Sequence, residues 1–490
     1  MTGTSEDQQG ANDITRNRHF GEGFPPRTIA IVGVSRTVTM HHPGYTGARL
    51  LRMLREAGFQ GRIYPINPNA NEIQGVKVYP SVTSVPEPLD LVTITVPAAA
   101  VPQVLEDCIV AKALNVQICT SGFGETGDED GRILENQIRE IALRGGLRII
   151  GPNCMGFHVP SVRMKMFEDV SLDKGQVAFV SQSGGHARTF LRHGPDFGVG
   201  FSKVISFGNA LMMDATDFLE YFATDPETRI IGMYLEGIKD GGRLTSLVKQ
   251  LTPTKPVIIW KGGHTYSGAR AAASHTGSLA GDSQVWDAFF KQTGAISVGS
   301  IEEMAEITAT ILYLRPPSGK RVAVLAAGGG INVATGDICA EEGLDAPALS
   351  PKTRTGLREF ISLVNQGVLN PLDVPGVIAN ITILPRTLAL IAADPLIDII
   401  VLHVSAEFFA GPLSEVMSEF NECILELNRK DPGGKPVVVA MCDEYRDERT
   451  EKYARELRKA GIVAYGSLRS ACRALNRFAS YYKFLDESDT

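Results

Sequence analysis

The sequence predicts a chain of parallel α/β blocks, and three observations predict it. Short β-branched runs alternate with longer amphipathic segments along the whole length. Glycine-rich turns follow several of those runs, where a parallel strand hands over to a helix. A length of 490 residues with 43% hydrophobic content supports roughly three domains of ~150 residues, each with its own core.

The first block is expected over residues 23–160, behind a flexible N-terminal segment, 1–22. Its strands fall at Thr28–Gly33, Arg62–Ile66, Leu91–Val96, Val116–Thr120 and Arg148–Ile150, with helical patterns between them. That alternation is Rossmann-like. The second block, 161–315, has strands at Gln176–Val180, Ile230–Leu235 and Pro256–Trp260, and a glycine-rich loop from Lys261 to Gly281 closes the last of these. The third, 316–490, begins after Arg315-Pro-Pro-Ser-Gly-Lys320. Its strands are Arg321–Leu325, Ile397–Val401 and Pro436–Ala440, with an irregular turn at Asn370-Pro-Leu-Asp373 and helical patterns over 447–460 and 470–485.

Composition excludes several function classes. A net charge of -7 without basic runs argues against nucleic acid or an anionic membrane as partner. Residues 1–20 lack an apolar signal core. The most hydrophobic later stretch, Leu388–Val404, is interrupted by Asp394, Pro395 and Asp398, so neither export nor a membrane span is expected and the cytoplasm is. The seven cysteines are scattered and include no CxxC pair, which suits a reducing compartment and predicts no metal site.

In parallel sheets ligands gather at the carboxyl ends of the strands. The first strand ends in Gly33-Val-Ser35-Arg36, a turn with a hydroxyl and a cation for phosphates. It is not GxGxxG. The second ends in Asn67-Pro68-Asn69, with no carboxylate for the ribose of NAD; a phosphorylated ribose such as that of coenzyme A fits this amide-rich edge better. Val96-Pro97, Ser121-Gly122 and Gly151-Pro-Asn153-Cys154 face the same edge. No histidine stands at a spacing to activate Cys154, which reads as a packing or ligand-contact residue.

In the second block, Ser181-Gln-Ser183-Gly184-Gly185-His186 follows a strand and opens a helix, which makes a phosphate nest; it lacks the first glycine of a GxSxG nucleophile elbow. Glu236 ends a buried strand, where a carboxylate needs a partner, and accepting a histidine's second ring proton supplies one. A candidate phosphate carrier is His275, in Ser274-His275-Thr276-Gly277: neutral imidazole is a competent nucleophile toward phosphorus, small neighbours leave donors free for phosphoryl oxygens, and Arg270 adds a cation.

These motifs occur together, and in this order, in one family. The chain resembles the nucleoside-diphosphate-forming (ADP-forming) acyl-CoA synthetases, relatives of succinyl-CoA synthetase, as an α-type subunit. The matching stretches are Pro26–Gly33, Ile63–Pro68 with Glu72–Gly75, Gly151–Cys154, Val180–Gly184, Ser274–Gly277 with Ala280-Gly281, and Asn370–Asp373. The resemblance implies an N-terminal Rossmann-like CoA-binding domain followed by two flavodoxin-like, succinyl-CoA synthetase-like parallel-sheet domains. It implies that His275 carries phosphate as a phosphohistidine and Glu236 supports it. Ser181, Ser183, Gly184, Gly185, Ser274, Thr276 and Gly277 would cradle the phosphate. Coenzyme A would lie on Gly33, Ser35, Arg36, Asn67, Pro68, Val96, Pro97, Ser121, Gly122 and Asn153. The family's nucleotide site is an ATP-grasp domain, and the chain has neither a GxxxxGK[ST] loop nor room for that domain after the third block. The resemblance therefore implies a separate ATP-grasp β-type subunit holding ATP/ADP and most of the Mg2+, with a small carboxylic acid and phosphate as the other reactants, in an oligomer. Asn370–Asp373 or the third-block surface would help dock that subunit. Gly262, Gly263, Gly268 and Gly277 are the expected hinges of the histidine loop.

Three positions depart from the family pattern. Asn69 stands where the family often has a basic residue and removes one expected coenzyme A phosphate contact; Gly185-His186 stands where many relatives have Ala-Leu, so that His186 is either part of the acyl pocket or a helix-surface histidine; and Leu211-Met-Met213 replaces a more polar stretch and could widen an acyl site. Two other classes remain open from sequence. A non-catalytic coenzyme A- or nucleotide-binding regulatory protein would need neither the histidine loop nor Glu236, and an NAD-linked redox enzyme would want the missing ribose carboxylate.

Overall fold

The computed structural model describes residues 20–35, 46–263, 265, 268, 283–326, 329–364, 366–378, 380–411, 415–429, 434–442 and 448–488. These group into two compact units. One takes in the described residues up to Arg192 together with Gly200–Ile301, and the other takes in His193–Val199 and the described residues from Glu302 onward.

The first unit carries two sheets. Strands β1 (Thr28–Val32), β2 (Arg62–Ile66), β5 (Leu91–Ile94), β6 (Asn115–Ile118) and β7 (Arg148–Ile150) pair in the order β2-β1-β5-β6-β7, all parallel; a small hairpin, β3 (Glu72–Ile73) and β4 (Val76–Lys77), stands beside them. The helix Gly47–Ala57 shows how local sequence sets an element here. The Thr46 hydroxyl accepts from Arg49 N at 3.3 Å, Gly58 closes the C-terminus at φ 72°, and the face carrying Leu50, Leu51, Met53 and Leu54 is buried. Its start lies against the end of β1. A Cβ at Gly47 or Gly33 would come within 2.8 Å of Thr95 Oγ1, and Gly33 has φ +96°, so the close approach requires glycine at both places.

The second sheet runs β13-β12-β11-β9-β10-β8, from β8 (Gly156–His158), β9 (Lys174–Ser181), β10 (Phe201–Ser206), β11 (Ile230–Leu235), β12 (Val257–Lys261) and β13 (Ile296–Val298). Only β8 is antiparallel. Residues 156–158, counted above with the first block, thus form the edge of the second sheet. Strand β10 was not expected, because Lys203 interrupts an otherwise apolar run. Its ammonium is in fact buried and paired with Asp225 at 2.8 Å and Glu227 at 2.7 Å, and Thr228 Oγ1 donates to Asp225 at 2.6 Å. Leu211 and Met213, offered above as acyl-side contacts, are instead buried in two apolar clusters of this unit, so they serve packing.

In the second unit β14 (Val322–Ala326), β15 (Leu372–Asp373), β16 (Ile399–Val404), β17 (Val437–Met441) and β18 (Ala464–Tyr465) make a parallel sheet in the order β15-β14-β16-β17-β18. The helices Glu448–Lys459 and Leu468–Ser488 match the two late helical patterns. Asn370 is engaged within the fold. Its carboxamide accepts from Val324 N at 3.0 Å and donates to Val322 O at 2.7 Å and Pro347 O at 2.9 Å, standing in for a neighbouring strand just before β15 begins. Among the described residues no helix is long and apolar enough to cross a membrane.

The Lys203 pair yields a stability test. Lys203→Met leaves Asp225 buried without its cation, so we expect a loss of about 3–5 kcal/mol in chemical denaturation. Arg188→Ala, which breaks the exposed Arg188–Asp169 pair (2.8 Å), should cost no more than about 1 kcal/mol. Equal effects would mean that the buried pair is not a structural tie.

Candidate active site

Parallel register brings the second sheet's carboxyl ends together. Tyr234 of β11 lies opposite Ser181 of β9, and Leu235 lies opposite Lys261 of β12. The residues that follow, Gln182, Glu236 and Gly262, therefore emerge side by side. The Gln182 carboxamide oxygen accepts from the amides of Glu236 and, at 3.0 Å, Gly237. Lys261 reaches back from β12, its ammonium donating to Glu236 O at 2.9 Å and to Gly262 O. The Tyr234 hydroxyl donates to Glu236 Oε1 at 3.2 Å. Glu236 is 8% exposed. Its carboxylate is thus held by a phenol and placed near a buried cation, as a buried charge requires.

Beside it begins the helix Gly184–His193. Ser181 is fully buried, and its hydroxyl is spent on the turn: it accepts from Ser183 N at 3.1 Å and donates to Ser183 O at 2.7 Å. It shapes the turn that opens the nest. Ser183 Oγ accepts from His186 N at 3.3 Å as the helix cap. The nest proper is the start of the helix at Gly184 and Gly185, whose amides precede the first intrahelical donor, Ala187 N, which donates to Ser183 O at 3.1 Å. Gly184 cannot bear a side chain, because a Cβ would meet Met155 Cγ at 2.4 Å.

His186 stands on the first turn of this helix with its ring centroid 4.3 Å from Tyr234 and 4.5 Å from Trp260. Burial lowers its pKa below the usual histidine range, against the opposing pull of the Glu236 charge. Burial likewise lowers Lys261, again opposed by Glu236, and raises Tyr234, with Glu236 adding to the rise. Sequence reasoning singled out Glu236 and the nest but missed Gln182, Tyr234, Trp260 and Lys261. The available signal was a lysine at the end of an apolar strand, Val257–Lys261, directly before two glycines. His275, Ser274, Thr276, Gly277 and Arg270 lie outside the described residues, as does Arg36. The loop's root at Gly262 and Gly263 is described, and it joins this edge.

The first-sheet turns also share one edge. Gly33, Val96, Pro97, Ser121, Gly122 and Asn153 follow β1, β5, β6 and β7, with Pro97 and Ser121 exposed. Three expected contacts are engaged internally. Gly122 N and Phe123 N donate to Glu125 Oε1 at 2.6 and 3.3 Å, so that turn's amides are filled by the chain's own carboxylate. Asn67 donates to Val34 O at 2.6 Å and accepts from Asn69 N at 2.8 Å. Asn153 donates to Asn209 Oδ1 at 3.3 Å. Pro68 is exposed beside Asn67, and Ser35 follows the Gly33 turn. Cys154 is buried with its thiol on the carbonyls of Ile118 and Ile150, at 3.4 and 3.6 Å, and acts in packing.

Family profiles described as CoA binding domain, Succinyl-CoA ligase like flavodoxin domain and Ligase-CoA domain match residues 27–160, 174–311 and 322–484. Their order defines the class, the acid–CoA ligases built on succinyl-CoA ligase-like domains. The α subunit of acetate–CoA ligase (ADP-forming) II of Pyrococcus furiosus is 38% identical over 444 residues, which is 90% of this chain and 93% of that one. Acetate–CoA ligase (ADP-forming) I of Archaeoglobus fulgidus is 34% identical over 94% of this chain but only 63% of its own length. The structure of acetyl-coenzyme A synthetase 1 of Ca. Korarchaeum cryptofilum, solved with phosphate and ADP, superimposes with a TM-score of 0.79 at 30% identity, covering 95% of this chain and 97% of that chain. The chain belongs to the ADP-forming acyl-CoA synthetase family, as a ligase chain of the α-subunit type. These relatives favour a catalytic subunit over a coenzyme A-binding regulator or an NAD-linked enzyme.

The His186 environment makes a pH prediction. In histidine-ring NMR, His186 should titrate below 6.5 and be neutral at pH 7, and Glu236→Gln should lower its pKa further by removing the charge that opposes burial. Because the folded value lies below the unfolded one, acidification through about 6.5 favours the unfolded chain, and the ring's contribution to stability is complete only above that pH. Titration above 6.5 would contradict the assignment.

Proposed function

We propose that the chain relays a phosphoryl group through His275 between ATP on a separate ATP-grasp subunit and an acyl carboxylate, and transfers the acyl group to coenzyme A at the first-sheet turns. The observation that carries this reading is the convergence of the Gly184–Gly185 helix start, Glu236 and the root of the histidine loop on one sheet edge. The chain covers nearly all of an α subunit but under two thirds of a longer relative, which supports a division of labour with a second subunit.

The steps balance as follows. A ring nitrogen of His275 attacks the γ-phosphorus and ADP leaves. A carboxylate oxygen then attacks the phosphohistidine, giving an acyl phosphate and freeing the imidazole. The coenzyme A thiol, losing its proton, attacks the acyl carbonyl and phosphate leaves. Glu236 accepts the second ring proton of His275, which fixes the tautomer and favours the positively charged phosphorylated ring. The amides of Gly184 and Gly185 hold the phosphoryl oxygens, with the helix dipole stabilising the anion by roughly 0.3–1 kcal/mol if exposed, enough to dock it without trapping it. Mg2+ would accompany the nucleotide; among the described residues no cluster of three or more His, Cys, Asp or Glu side chains is arranged for a metal.

With γ-labelled ATP and the partner subunit present, the wild-type chain should acquire acid-labile label. His275→Ala should acquire none while still retaining coenzyme A, and Glu236→Gln should slow turnover by about 10²-fold or more. Undiminished acyl-CoA formation by His275→Ala would remove the relay.

A further inference from the structure

Two cysteines of the second unit stand face to face. Cys339 lies near the end of the helix Gly329–Glu341 and Cys472 early in the helix Leu468–Ser488; their sulfurs are 3.8 Å apart and both side chains are fully buried. Both are free thiols. They are 133 positions apart in sequence, so only the fold brings them together. The helices are held in register on both sides of the pair. Arg469, one turn before Cys472, pairs with Glu341 at 2.8 Å and Glu342 at 3.1 Å, and Arg473, just after it, pairs with Glu342 at 2.9 Å and Glu303 at 2.8 Å. One turn beyond, Asn476 covers Gly343, where a Cβ would meet Asn476 Nδ2 at 3.0 Å.

At 3.8 Å the two sulfurs touch. A disulfide needs about 2.05 Å between them, which leaves under ~2 Å to close, shared between two side chains. Cys154 shows how a thiol that only packs is used in this chain, turned onto backbone carbonyls; here each sulfur has the other as a hydrogen-bonding neighbour. We propose that Cys339 and Cys472 form a disulfide on exposure to peroxide, tying the last helix to the helix that follows β14. In the step, one sulfur, as thiolate, attacks a peroxide oxygen and the O–O bond breaks, leaving a sulfenic acid and a hydroxide that takes up the thiol's proton as water. The second sulfur then attacks the first, the S–O bond breaks, and the remaining thiol proton leaves with that oxygen as a second water. The two thiols are oxidised and one hydrogen peroxide is reduced. In reducing surroundings the pair rests as thiols. Once formed, the cross-link closes a long loop, where it restricts the unfolded chain most. Neither cysteine belongs to the groups assigned to coenzyme A or to phosphate, so the proposal is independent of the phosphoryl-relay reading.

The test treats the purified full chain with hydrogen peroxide, alkylates the thiols that remain and digests it without reduction for mass spectrometry. The expected product is a peptide pair joining Cys339 to Cys472, lighter by two hydrogens than its parts and separated by dithiothreitol. Hydrogen exchange of the Leu468–Ser488 amides should slow by about tenfold or more on oxidation. Cys339→Ala and Cys472→Ala should each show neither the cross-link nor the slowing, and wild type alone decides the matter if either variant fails to fold. Recovery of both cysteines as alkylated or separately oxidised residues overturns the proposal. A cross-link that leaves exchange unchanged, or slowing that persists in an alanine variant, overturns the tie between the helices.

Discussion

The parallel register of β9, β11 and β12 is the constraint on which the site depends. Pairing Tyr234 with Ser181 and Leu235 with Lys261 decides that Gln182, Glu236 and Gly262 leave the sheet together. A slip of one residue would turn each of these side chains to the other face. Where the ladder ends, backbone groups would be left unpaired. The Gln182 carboxamide takes the amides of Glu236 and Gly237, and the Lys261 ammonium takes the carbonyls of Glu236 and Gly262. The strand ends are thus cross-tied by side chains, and the carboxylate is positioned by backbone before any side-chain rotamer is chosen.

The same arrangement sets the electrostatics. Glu236 is nearly buried, and a phenol donates to its carboxylate while a lysine lies close by. Its charge in turn opposes the burial effects on His186 and Lys261. Removing Glu236 would therefore change the proton affinity of the neighbouring groups as well as the orientation of a histidine. The first sheet uses the opposite device at its third turn. There Glu125 fills the Gly122 and Phe123 amides, so a glycine turn that looks open in sequence is already satisfied by the chain.

Much of the fold was legible because buried parallel strands read as apolar runs: β7 and β11 are fully buried and have the expected limits, as does the partly buried edge strand β2. Strand β10 was hidden by Lys203, whose partners Asp225 and Glu227 lie more than twenty residues away and give no local signal. Strands β13, β15 and β18 are only 3, 2 and 2 residues long, too short for periodicity to register. At the site, Glu236 and the Ser181–Gly185 turn could be read because each sits at the end of a readable strand. Tyr234 and Trp260 could not, since inside a strand they look like core, and only pairing with neighbouring strands shows what they meet; Lys261, a lysine ending an apolar strand, left a signal but not its partners. Asn370 illustrates the converse. Its motif was visible, but its use as a substitute strand partner for β14 follows only from the fold.

The glycines at the loop root show why flexibility cannot be read from composition alone. Gly262 was expected as a hinge, yet it is still part of the ladder: its amide donates to Leu235 O at 2.9 Å and its carbonyl accepts from Lys261. It is glycine because Tyr234 leaves no space for a Cβ. Gly263 differs, with φ +72°, a conformation glycine adopts without the cost a side chain would impose. Gly263 thus takes the left-handed conformation one residue after a strand end that is tied to Leu235 O through Gly262 N and to Glu236 O through Lys261. The backbone that positions Glu236 is therefore set by β9, β11 and β12, through their register and the side chains that tie their ends.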